Sequence, residues 1–188
     1  HTRYIGDWSS DVCSSDLRFT GALLIEPGAW NSGRGDYTVL VFPLGDGRTL
    51  RYRDVRRLGT VTLHDAPAFT AWEATIGPEP LEPAFTAARF REAIAGTRRA
   101  IKTVLMDQRR IAGIGNIYAN EALWRARIRP QRPASSLTAA EARALHRESV
   151  RVLALAVAQR GTSFRDYQDP YGGRGGFLGL AKVYAREG

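Results

Sequence analysis

Between Arg18 and His64 the apolar residues fall in four short runs, RFTGALLIE, YTVLVFP, TLRYRD and LGTVTLH. Runs of this length, rich in Val, Leu, Thr and aromatics and parted by turn residues, predict β-strands. Leu44-Gly45-Asp46-Gly47 separates the second run from the third and predicts a hairpin. Together they read as the rear part of an antiparallel sandwich, with too few strands to close a core alone. Half a sandwich exposes strand edges, so residues 18–75 are expected to aggregate or unfold in part.

Beyond Pro78, Pro80 and Pro83, which mark a linker, the apolar spacing becomes helical. Thr86 to Ala95 predicts a helix with Thr86 as N-cap and Gly96 just past its end. Ile101 to Gln108 predicts a short apolar helix, followed by a tight glycine turn and a second helix opening at Asn116. Gly113 and Gly115 allow positive φ or close approach in that turn, Asn116 is a good N-cap, and Glu121 lies one turn further in. Thr138-Ala-Ala-Glu141 is a capping box opening a long helix that ends at Gly161. Ala142, Leu145, Val152, Leu153 and Ala156 share one face of it. His146 sits among arginines and reads as a solvated helix residue rather than a base or ligand. The stretch TSFRDYQDPYGGRGGFLG predicts a mobile loop, and AKVYA predicts a strand start.

Charge changes this picture. The net charge is +8, yet residues 96–160 alone carry 13 Lys+Arg against 4 Asp+Glu. Lys102, Arg109, Arg110, Arg125, Arg127, Arg129 and Arg132 surround the glycine turn. A helix N-terminus presents unpaired N–H groups and partial positive charge, so the arrangement suits a polyanion's phosphates. A helical hairpin with a solvated basic face is the plainer reading. No apolar run approaches the roughly 18 residues of a membrane span. The single Cys13 excludes an internal disulfide and a cysteine zinc site within this chain. The opening HTRYIGDWSSDVCSSDL is acidic, Ser/Asp-rich and lacks a signal peptide's apolar core. It resembles translated sequencing adapter and is expected to stand outside the fold as a non-native tail.

IKTVLMDQ, AGIGNIYANEALWRARI and RPASSLT, with LRFTG at 17–21, DVRRLG at 54–59 and the closing TSFRDY and KVYAREG, form one ordered set. This set resembles the bacterial formamidopyrimidine-DNA glycosylases, the oxidised-purine repair enzymes with a helix–two-turns–helix (H2TH) segment, over about 170 residues. The resemblance implies base flipping, attack by an N-terminal proline to give a Schiff base, a neighbouring glutamate as general acid/base, and β,δ-elimination. This sequence begins His1-Thr2 rather than Pro-Glu, so no catalytic residue is assigned in it, and the chain is expected to be inactive by itself. A four-cysteine zinc ribbon follows KVYAREG in the family. One structural zinc is therefore expected in the full-length protein and none in this chain.

By the resemblance, Lys102 and Asn116 contact the phosphates around the extruded nucleotide, with Arg98 and Arg99 as further backbone contacts. Phe19, Arg56 and Leu58 match the side chains that fill the void left by the base. The family usually has Met and Phe where Phe19 and Leu58 stand, and a His-x-His pair where this chain reads Gly35-Asp36-Tyr37. Outside the resemblance, Phe19 and Leu58 read as strand core and Lys102 as a solvated lysine. Tyr167, Gly172, Gly173, Gly175 and Gly176 match the loop that closes over the flipped purine.

The fold expected is α+β, a partial N-terminal antiparallel β-sandwich followed by an all-α H2TH DNA-binding domain. The boundaries expected are a non-native tail at 1–17, sandwich at 18–76, H2TH domain at 77–162, and capping loop with lead-in to the zinc ribbon at 163–188. The function implied is removal of 8-oxoguanine and formamidopyrimidines from duplex DNA by a monomeric glycosylase/AP lyase, bacterial, cytoplasmic and nucleoid-associated. The alternatives are an endonuclease VIII-like oxidised-pyrimidine glycosylase, which generally lacks such a loop, and a non-catalytic H2TH module.

Overall fold

A computed structural model describes residues 3–4, 12–16, 21–28, 37–162 and 175–184. The chain divides into two compact units, one of residues 1–71 and 160–176, the other of 72–159 and 177–188.

The first unit holds the strands. A four-stranded sheet has the order β1 (Arg3–Tyr4), β4 (Thr38–Pro43), β5 (Thr49–Asp54), β3 (Gly21–Glu26). β5 pairs antiparallel with both β4 and β3, and β1 runs parallel to β4. β2 (Val12–Asp16) and β6 (Thr60–His64) form a separate antiparallel ribbon. The expected hairpin joins β4 to β5, closed by Leu44 N–H donating to Arg48 O at 2.8 Å, with Gly47 at φ +83°. Ala22, Leu24, Val41 and Tyr52 are the sheet's described buried apolar residues, and β6 buries none. β1 and β2 are drawn from the opening segment that the sequence marks as a non-native tail. An open strand edge offers N–H and C=O groups that pair with any extended backbone, whatever its side chains.

A helix not expected from the sequence, α1 (Ala66–Glu73), follows β6 and buries no residue. Asp65 Oδ1 accepts from Ala68 N–H at 2.8 Å and starts it.

The second unit is helical. α2 (Ala87–Ile94) begins as expected with Thr86 accepting from Arg89 N–H, and Gly96 follows it at φ +70°. α3 (Ile101–Leu105) is shorter than its apolar run. Past its C-cap Met106, the backbone O of Asp107 accepts from the Arg110 and Ile111 N–H groups at 2.8 and 3.0 Å and opens a separate turn. α4 spans Asn116–Arg125 and α5 spans Ala139–Ala158. The Thr138/Glu141 capping box is present, a reciprocal cap contributing about 1 kcal/mol. α5 buries Ala142, Leu145, Val152, Leu153 and Ala156 as its spacing required. Arg160 and Gly161, at φ +56° and +83°, follow it and prevent continuation.

Two expectations fail here. The proline stretch is packed rather than a free linker: Pro80 is buried, and a Cβ on Gly77 would lie 2.4 Å from Arg110 C. His146 is packed rather than solvated, between the Phe85 and Phe90 rings at 5.4 and 5.6 Å, with Nε2 2.7 Å from Phe85 O.

Candidate nucleic-acid interface

The turn between α3 and α4 is held from inside by Gln108. Its Oε1 accepts from Gly113 N–H at 2.8 Å, and its Nε2 donates to Met106 O at 3.1 Å and Ile114 O at 3.0 Å. Gly113 takes φ +75°, the left-handed conformation its position suggested. Gly115 instead is extended (φ −96°, ψ −177°) and is itself the N-cap of α4. Asn116 is therefore the first helical residue, not the cap. No side chain caps this N-terminus, and Asn116 is exposed with no side-chain hydrogen bond among the described residues. The unpaired N–H groups of the first turn remain available to an anion.

The N-terminus of α3 is closed by contrast. Ile101 N–H donates to Arg132 O at 2.8 Å and Lys102 N–H to Pro130 O at 3.2 Å. Lys102 thus offers only its side-chain ammonium, half-buried and without an ion pair among the described residues.

The basic cluster divides in two. Arg110 donates to Ala93 O at 2.8 Å and Ala95 O at 3.0 Å, closing the C-terminal end of α2. Arg125 pairs with Glu121, and Arg132 makes a forked pair with Glu141. Arg99 is tied to Asp107 at 2.8 Å, and that hydrogen bond, against a small cost of burial, holds the Asp107 carboxyl below its ordinary range. Arg98, Arg109, Arg127 and Arg129 are exposed or half-buried and have no side-chain partner among the described residues. Arg110, Arg125 and Arg132 hold the fold, and the second group, with Lys102 and the donors that Asp107 leaves on Arg99, is open to a ligand.

Sequence reasoning missed the role of Glu121. It is fully buried and accepts from Lys182, Val183 and Tyr184 N–H groups at 2.8–3.1 Å, besides pairing with Arg125. Burial pushes its pKa up, but the three N–H groups and the Arg125 guanidinium outweigh it and hold the carboxyl below its ordinary value. These N–H groups wrap a carboxylate, so Ala181–Tyr184 forms no strand, contrary to expectation.

In the sheet unit, Arg56 and Leu58 stand on the loop between β5 and β6. Buried Asp54 shapes it, Oδ1 accepting from Arg56 N–H at 3.2 Å and Oδ2 from Gly59 N–H at 2.9 Å. Arg57 takes φ +53° and Leu58 is 54% exposed, which removes the strand-core reading of Leu58. Gly175 packs tightly, since a Cβ there would lie 2.2 Å from Gly161 O, and Gly176 bridges Thr162. Phe19, Tyr167, Gly172 and Gly173 lie outside the described residues, as do Gly35 and Asp36.

Residues 76–168 match the family model described as the formamidopyrimidine-DNA glycosylase H2TH domain. A formamidopyrimidine-DNA glycosylase of Roseiflexus sp. (strain RS-1) is 46% identical over 172 residues, covering 92% of this chain and 62% of the relative. The chain belongs to the formamidopyrimidine-DNA glycosylase family. Its fold superposes on the crystal structure of the MutM (Fpg) protein from Thermus thermophilus with a TM-score of 0.82 at 39% identity, over 96% of this chain and 66% of that one. The Lactococcus lactis Fpg in complex with DNA containing an abasic site gives a TM-score of 0.81 at 28% identity, over 94% and 64%. The chain thus spans about three-fifths of the Roseiflexus relative's length.

A four-thiolate zinc site does not fit these residues: the sequence has one cysteine, and no three His, Cys, Asp or Glu gather among the described residues. No helix among them is long and apolar enough to cross a membrane.

Proposed function

We propose that this chain holds duplex DNA for a glycosylase/AP lyase that removes oxidised purines, 8-oxoguanine and formamidopyrimidines, from DNA. The observation that carries the reading is the uncapped N-terminus of α4, with Asn116 exposed upon it and Lys102 on the preceding helix. Lys102 supplies a point charge and the α4 N–H groups supply directed donors, the combination that fixes a phosphodiester in register without reading sequence. Arg98 and Arg99 add backbone contacts, Arg99 through whatever donors Asp107 leaves it.

Arg56 and Leu58, with Phe19, are assigned to the space an extruded nucleotide leaves. Leu58 replaces lost stacking, and Arg56 donates to the orphaned base. The loop containing Tyr167, Gly172, Gly173, Gly175 and Gly176 is assigned to the flipped purine, and this loop favours the oxidised-purine branch. Covalent chemistry by an N-terminal proline, strand cleavage by β,δ-elimination and a structural zinc belong to the full-length protein in this reading. The Lactococcus complex with abasic DNA supports the choice of ligand.

Fluorescence anisotropy with two duplexes tests it, one undamaged and one carrying a stable abasic analogue. The chain is expected to prefer the abasic duplex, and Leu58→Ser or Arg56→Ala to erase the preference while leaving binding to intact duplex unchanged. Equal affinity of the parent chain for both duplexes would contradict the assignment.

A further inference from the structure

We infer that the groove at the C-terminal end of α4 is a docking site for an acidic peptide segment of a protein partner, anchored by a large apolar side chain. The groove has a volume of about 700 Å³ and lies between α4, α5 and residues 179–182. It follows from the buried contacts already described. Arg125 turns inward to Glu121, Arg127 takes φ +56° and leads the chain off the helix, and the 182–184 backbone is drawn onto the same carboxylate. The walls are thus set by a buried ion pair and three backbone hydrogen bonds.

Its surface has two parts. Trp124, Leu155 and Leu180 supply an apolar patch, with Trp124 54% and Leu180 41% exposed. Arg127, Arg151 and Lys182 form a basic rim. The Arg127 and Lys182 side chains have no partner among the described residues, and Arg151 reaches only Glu148, at 3.8 Å. Trp and Arg are the side chains enriched at interface hot spots, where an apolar anchor sits inside a polar rim. The matching ligand places a Phe- or Leu-sized group against Trp124 and carboxylates on the rim.

Two observations favour a peptide over nucleic acid. The groove lies at the opposite end of α4 from Asn116, and a ten-residue helix is about 15 Å long. A phosphate seated on the α4 N-terminus lies along the axis away from the groove. In addition, Glu148 Oε2 is buried without a hydrogen-bond partner among the described residues. A peptide backbone brings N–H donors to such an oxygen, whereas a phosphodiester backbone has none to offer. The first of these observations rests on the DNA-holding role proposed above, whereas the Glu148 observation and the peptide-binding test do not.

The test is anisotropy with the whole chain and a dye-labelled synthetic peptide of Glu and Asp bearing one Phe and one Leu. A control peptide carries Ser in place of both apolar residues. The apolar-acidic peptide is expected to bind at least about tenfold more tightly than the control. Trp124→Ala, and separately Arg151→Glu with Lys182→Glu, are expected to weaken it by about tenfold or more with unchanged melting temperatures. Excess duplex DNA should not displace it. Equal binding of the two peptides, or unaltered affinity in Trp124→Ala, overturns the proposal. Displacement by duplex also overturns it and assigns the groove to nucleic acid.

Discussion

The helical unit runs a continuous apolar core from Phe85 through Leu123 and Leu145 to Phe177, and each of α2 to α5 contributes to it. The sheet unit buries only Ala22, Leu24, Val41 and Tyr52 among its described apolar residues, and β6 adds no buried side chain to them. The two units therefore hold their functional loops by different means. In the helical unit the turn at Gly113–Gly115 sits on packed helices and is fastened from inside by Gln108. In the sheet unit the Arg56–Leu58 loop depends on one buried carboxylate, Asp54, at the end of a strand. A site on the first kind of support is fixed before ligand arrives, whereas the second can yield as ligand binds.

The contrast is sharpest in core truncations. Phe90→Ala is expected to cost about 3–5 kcal/mol in thermal or chemical denaturation, and Leu24→Ala nearer about 2 kcal/mol. A larger loss at Leu24 than at Phe90 would reverse the ranking of the two units. Glu121→Gln comes next. It leaves Arg125 buried beside a neutral amide that can satisfy fewer of the three N–H groups, and should cost about 3 kcal/mol. Amide exchange should rise in 177–184 and spare the β4–β5 hairpin. Exchange unchanged in 177–184 would show that Glu121 does not hold that segment.

A smaller effect lies in acid. Arg132, and then the Thr138 N–H and hydroxyl, pull the Glu141 pKa from the ordinary 4.5 down to about 2. A depressed carboxylate stabilises the fold fully above its unfolded pKa, so this contribution fades as pH falls from about 4.5 towards 2. Melting temperature should drop across that window, and Arg132→Met should flatten the drop. An equal drop in both proteins would place the acid sensitivity elsewhere. The smallest effect is expected at Leu58, already exposed, where Leu58→Ser should change stability by less than about 0.5 kcal/mol. A larger loss would mean that the loop is packed in solution.

Much of the helical unit was legible because its signals are local. Thr86, the Thr138/Glu141 box and the buried face of α5 each need only a few neighbouring residues to specify them. What escaped was set by partners distant in sequence. Glu121 showed only its place one turn into a helix, and the 182–184 backbone, some sixty residues on, takes it into the interior. His146 looked solvated because nothing nearby announces Phe85 and Phe90. The basic cluster was legible as charge, yet its division into fastening and unpaired cations depended on the Arg110, Arg125 and Arg132 acceptors. α1 left only the faint cue of Asp65 before Ala-Pro.

The division of those cations is the claim most open to direct test. Each phosphate contact that is lost lowers the slope of log K against log salt by about one unit. Duplex affinity measured over a salt series should therefore give a slope about one unit smaller for Lys102→Ala. Arg132→Met, which removes a cation tied to Glu141, should keep the parent slope. Equal slopes for Lys102→Ala and the parent chain, or a loss of slope in Arg132→Met, would contradict the account.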